Sequence, residues 1–329
     1  MDSLPIPGGD TPMTPRAARI PIAILMAFLL LANALAWLWA WQVARERPAL
    51  MGTALLAWMF GLRHALDADH IAAIDNVVRV LVREGRRAWD GGLFFAPGHS
   101  TVVLIACLVL LAFPAAGGVE AVRAMGEGWG TVLSAAFLFA IALANLMTLR
   151  RIWRTRHGGD QDGALAGGVM TLVLRPVRRL AGRSWHMLPV GFLFGLGFDT
   201  ASEIALLALT GQQTAHVPHS LDVLVFPALF TAGMVLIDTA DSVVMSEAYA
   251  WASHHPGRKF WYNLAITAVS VCVALGVGVF EMIGLMDAVP HAGFAVVALL
   301  LAIWGIAALL LRHAPPRPAG LCSGVSSGK

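Results

Sequence analysis

The chain has 329 residues, 58% of them hydrophobic and only 13% charged, about half the charge of an ordinary soluble domain. That excludes a disordered chain, a nucleic-acid binder and most soluble enzymes, and a mean hydropathy of +0.71 points to a polytopic membrane protein. The formal net charge is only +3, so where the basic residues sit matters more than their sum.

A helix needs roughly 20 apolar residues to cross a hydrocarbon core. Residues 1–19, rich in Pro, Gly and Asp, read as a cytoplasmic tail, followed by a first apolar segment, Ile20–Val43. The Ala32-Asn33-Ala34 triplet in that segment looks like a leader-peptidase site, but the apolar run around it is too long for a signal core, so an uncleaved span is expected. The next segments are Leu50–Leu81, Leu93–Ala115 and Trp129–Arg150, completing a first group of four helices over residues 20–150. An Arg-rich cytoplasmic loop, 151–186, separates them from a second group over 187–311: Met187–Gly211, Val223–Ala248, Phe260–Met286 and Gly293–Leu311. A Pro/Gly/Ser-rich cytoplasmic tail, 312–329, closes the chain. The fold class expected is therefore an all-α bundle of about eight transmembrane helices. The second and seventh segments exceed the bilayer and should project, tilt or break.

Lys and Arg set the orientation. On alternate loops, one side collects 19 of the 23 basic residues, Arg79, Arg83, Arg86 and Arg87 among them. The other side has Arg45, Arg47 and Arg123, and Arg63 lies within a span. Both termini should be cytoplasmic. Cys107, Cys272 and Cys322 show no paired spacing, so neither a disulfide framework nor a zinc ribbon is indicated.

Eight acids lie inside these segments: Asp67, Asp69, Asp75, Asp199, Glu203, Asp238, Asp241 and Glu281, with His64, His70 and His99. Each acid at mid-bilayer costs about 2.5–3.5 kcal/mol on insertion scales. Interhelical hydrogen bonding accounts for one or two of them but not for the set. In the second segment, His64, Asp67 and His70 fall within about a 120° arc of a regular helix, and Asp75 returns close to His64. Asp69 points elsewhere, so it either faces another wall of a cavity or marks local unwinding. Two imidazoles and a carboxylate on one face make an N/O site suited to nickel, cobalt or zinc.

The third segment begins Pro97-Gly98-His99, whose His99 is either a ligand or proton relay or an interfacial histidine. In the fifth, Asp199 and Glu203 are spaced i, i+4 and repel unless a cation or proton lies between them. In the sixth, Asp238, Asp241 and Ser242 form one stripe. Polar groups converging near mid-depth are what a secondary transporter needs. Phe60-Gly61-Leu62 with Asp67 parallels Phe194-Gly195-Leu196 with Asp199, so the two halves read, with gaps, as inverted repeats.

At these motifs the chain resembles the nickel/cobalt transporter family (NiCoT). HALDADHI, FFAPGHSTVV, LGFDTASE and GMVLIDTADS stand in that family's order, with two departures: Ala96-Pro97 before Gly98-His99, and Ala240 before Asp241. The resemblance implies import of Ni2+ or Co2+ as substrate, with no cofactor and no ATPase subunit. It makes His64, Asp69 and His70 direct or entry ligands, while Asp67, Asp199, Glu203, Asp238 and Asp241 complete or counter-charge the path. No GxxxxGK[ST] phosphate loop is present. The expected function is uptake across the inner membrane by alternating access, the partners being a divalent transition-metal ion and the lipid bilayer. Efflux is the nearest rival, and loop 151–186 lacks the His-rich composition that related exporters carry, with only His157 and His186. An intramembrane metalloenzyme is more distant, since HExxH is absent.

Overall fold

A computed structural model describes residues 15–45, 47–112, 129–156, 183–196, 206, 220–253, 259–283, 295, 298, 299 and 302. Among these the chain is α-helical with short 3-10 turns and no strand, the all-α membrane architecture expected. The helices are α1 (Pro15–Ala44), α2 (Ala49–His64), α3 (Ala68–Arg83), α4 (Gly91–Ala112), α5 (Trp129–Arg156), α6 (Met187–Gly195), α7 (Val225–Ser253) and α8 (Lys259–Met282). In the described residues four helical stretches are long and apolar enough to cross a bilayer, and α2 with α3 makes a fifth if the bent pair counts as one span. The eighth expected segment, Gly293–Leu311, falls almost wholly outside the described residues.

The surface is inverted relative to a water-soluble protein. On α1, Ile20, Ile24, Phe28, Leu31 and Leu35 are all well exposed, at the three- and four-residue spacing of a single helix face. Asn33 on the opposite face is buried and reaches across two helices. It donates to the Ala232 carbonyl of α7 at 3.0 Å and accepts from Trp58 Nε1 of α2 at 3.0 Å. Aliphatic side chains face lipid, and polar ones close bonds inside, as the bilayer requires.

The long second segment breaks. α2 ends at His64, α3 starts at Ala68, and the two axes differ by 50°. Asp67 precedes α3 in an extended conformation (φ −68°, ψ 148°). Chain direction therefore changes at the histidine/aspartate motif itself.

α4, α6 and α7 enclose the other side, and glycines set their spacing. A Cβ at Gly92 would collide with the backbone of Asp238 and Thr239, one at Gly98 with the Leu188 carbonyl, and one at Gly191 with the Phe95 carbonyl. Gly61 is pressed against the Phe230 carbonyl in the same way. Small residues at such crossings let backbones touch where lipid offers no hydrophobic drive for association. The Gly92 amide also donates to Ser242 Oγ at 2.7 Å. Pro97 sits inside α4 without ending it, and Thr101 Oγ1 bonds the Pro97 carbonyl at 2.7 Å.

Candidate metal centre

The break at 65–67 changes how the motif works. A continuous helix would place His64, Asp67 and His70 on one arc; here His64 ends α2, Asp67 lies in the break and His70 is in the first turn of α3. The imidazoles of His64 and His70 still meet, with ring centroids 4.5 Å apart. The third member is His99 of α4, 4.8 Å from each of them. Of the two readings left open for His99, the interfacial one fails, because the residue is 1% exposed.

His64, His70 and His99 are the one group of this kind among the described residues, each offering a nitrogen within 4.8 Å of the others. His64 Nε2 and His99 Nε2 are 3.0 Å apart, close to the separation of two adjacent ligands on a metal held at about 2.1 Å. The His70 Nε2 is buried and has no hydrogen-bond partner in the described residues. An unmet nitrogen in a dry site costs free energy unless something else binds it.

Carboxylates sit against the outer nitrogens. His64 Nδ1 lies 2.9 Å from Asp67 Oδ2, and His70 Nδ1 lies a longer 3.4 Å from Asp238 Oδ1. A neutral imidazole that donates from Nδ1 to an ionised carboxylate keeps its lone pair on Nε2, the nitrogen through which His64 meets His99. Carboxylates commonly hold ligand histidines this way. Asp67 and Asp238 thus orient imidazoles, and Asp67 is also 4.0 Å from Arg63. Asp69 stands in the first turn of α3. One of its oxygens, Oδ1, is buried without a partner in the described residues. Unwinding at the break explains why Asp69 need not share the arc of His64.

Aromatic rings close the walls: Phe230 lies 5.5 Å from His64 and Phe95 lies 4.9 Å from His70, centroid to centroid. Phe194 of α6 backs Phe95 at 5.6 Å. These residues escaped the sequence reading because an apolar wall has no composition of its own inside an apolar helix. Gly61 and Gly191, which bring their backbones close, were the available signal.

Asp199 and Glu203 lie outside the described residues. Asp241 is in α7, one turn past Asp238, and is not part of the histidine group. Asp75 does not return to His64; it bonds Tyr249 and Ser270.

The family described as high-affinity nickel-transport protein (NicO) matches residues 50–310. The chain belongs to that family. It is 45% identical to the hydrogenase nickel incorporation protein HupN of Bradyrhizobium diazoefficiens, covering 91% of this chain and 86% of that protein. It is 48% identical to a high-affinity nickel transport protein of Cupriavidus necator over 82% of this chain and 80% of that one. The cobalt transport protein NhlF of Rhodococcus rhodochrous is 38% identical, with 82% and 84% covered. No solved structure matches significantly. Family membership makes the chain a membrane transporter rather than an enzyme.

Proposed function

We propose that the chain imports Ni2+, Co2+ or both across the inner membrane as a secondary transporter, with both termini cytoplasmic and no ATPase subunit. The observation that carries this is the buried triad His64, His70 and His99, each offering a ring nitrogen within 4.8 Å of the others, with Asp67 against His64 Nδ1 and Asp238 against His70 Nδ1. Three imidazoles with nearby carboxylates suit a borderline divalent ion and give copper(I) none of the soft sulfur it favours. The naming of the relatives as nickel and cobalt transporters supports the same cargo.

The domain order follows: a tail over 1–19, helices over 20–150, an Arg-rich cytoplasmic loop over 151–186, helices over 187–311 and a tail over 312–329. Alternating access around the triad would expose it to one side at a time, with Asp69 beside the site and Asp199, Glu203 and Asp241 completing the path. A dication moving down an inside-negative potential gains about 4.6 kcal/mol per 100 mV, twice the single-charge value. That drives roughly thousandfold accumulation without ATP.

The test is radiolabelled nickel accumulation in metal-starved cells carrying the wild type, His64→Ala or empty vector. Import predicts accumulation by the wild type alone, with cobalt competing. Less nickel in wild-type cells than in the vector control would make the protein an exporter and reverse the direction.

A further inference from the structure

α3 carries a second set of buried polar groups beyond the histidines. Asp75 lies about 7.5 Å along the axis from His70, and Arg79 follows one turn later on the same face. Both are 2% exposed. Arg79 falls in the cytoplasmic loop when basic residues are counted along the sequence, but the structure places it inside the bundle. Asp75 accepts hydrogen bonds from Tyr249 of α7 and, at 3.0 Å, from Ser270 of α8. Asp241 lies on α7 between Asp238, which meets His70, and Tyr249, which bonds Asp75, and all three share the helix face turned to α3.

Arg79 is poorly held for a structural cation. Its Nη2 donates to Asn76 Oδ1 at 2.9 Å, an oxygen that Asn145 of α5 also donates to. Its Nε and Nη1 are buried without hydrogen-bond partners in the described residues, and so is Asp241 Oδ2. A guanidinium fixed as a permanent partner would use its fork on a carboxylate. Here Arg79 stands one turn from Asp75 on the same helix face, while two of its donors stay unmet in the described residues. One guanidinium neutralises only one of two carboxylates, whereas a dication neutralises both. Two carboxylates without nitrogen or sulfur ligands hold a borderline dication weakly, as a transit station requires.

We propose that Asp75 and Asp241 form an inner cation station, with Arg79 as a tethered counter-cation that the transported dication displaces on its way from the histidine triad. This rests on the reading of the chain as a nickel or cobalt transporter. In the orientation above, the station lies between the triad and the cytoplasm.

The experiment uses the full-length protein, purified for equilibrium binding of radiolabelled nickel and reconstituted in vesicles for uptake. In Arg79→Gln the station loses its built-in cation and should retain metal. A second nickel equivalent should bind, and kcat should fall on the order of tenfold with KM unchanged or lower, a coupling of the size that interacting neighbours show. Arg79→Gln combined with Asp75→Asn restores the charge balance, so the extra equivalent should disappear and part of the turnover should return. Nickel binding and kinetics like wild type in Arg79→Gln, or a double variant no better than the single, would overturn the proposal. If Arg79→Gln does not fold, Arg79→Lys decides: retained charge should keep turnover within about twofold of wild type, and a tenfold loss would mean that Arg79 is structural. Wild-type vesicles that take up no nickel would sink the transporter reading itself, a result separate from these differences among variants.

Discussion

Helices α1 and α3 lie in the same bundle and solve opposite problems. α1 turns Ile24, Phe28 and Leu31 outward and uses Asn33, on its inner face, to tie two neighbouring helices. α3 turns nothing outward in its first three turns. Ala72, Ala73, Ile74, Val77 and Val78 are buried, and so are His70, Asp75, Asn76 and Arg79. The first is an anchor whose side chains are interchangeable so long as they are apolar. The second is packed on all sides, so each of its polar groups needs a named partner. Sensitivity to substitution should follow that division.

The largest effect is expected where backbones touch. Gly191→Leu would force its side chain into the Phe95 carbonyl and should destabilise by more than about 3 kcal/mol, read as loss of the monodisperse, thermally cooperative protein. Next is His70→Ala, which removes a converging nitrogen. Nickel affinity should fall by more than the roughly 10–100-fold typical of lost outer partners, while the melting temperature changes little. Asp238→Asn should fall within that range, because it loosens His70 without removing it. If Asp238→Asn matched His70→Ala in equilibrium binding, the carboxylate would be a direct ligand. Asn33→Ala should cost about 1–2 kcal/mol through the stranded Trp58 N–H, visible in thermal melts, with nickel affinity intact. Smallest of all, Phe28→Leu should stay within about 0.5 kcal/mol. A larger loss would show that this face of α1 is covered by protein.

The same division explains what could be read in advance. Apolar runs gave the helices, since α1, α4, α5 and α7 are long enough to be unambiguous. The ends were less visible: α1 begins at Pro15, before the expected Ile20, because Arg16 and Arg19 extend a helix as readily as they end a span. Excess length flagged the second segment for a break, but no proline or glycine marks residues 65–67, so a helical wheel drawn through them assumed a continuous helix and returned Asp75 to His64, where the structure sets it against Tyr249 and Ser270. His64 and His99 are 35 positions apart, and only tertiary packing could decide between ligand and interface. Arg79 was misplaced because charge counting assumes that arginine at a helix end reaches water.

Helices α2, α4, α6 and α7 around the histidine cluster meet through main chain. Gly61 sets α2 against Phe230, Gly92 sets α4 against Asp238, and Gly195 lies directly beneath the His99 carbonyl. A cage whose dimensions are fixed by polypeptide contacts cannot be resized by exchanging side chains, since any added carbon pushes a whole helix. On the function proposed above, choice between ions would then fall to the carboxylates that polarise the three rings rather than to the spacing of the rings.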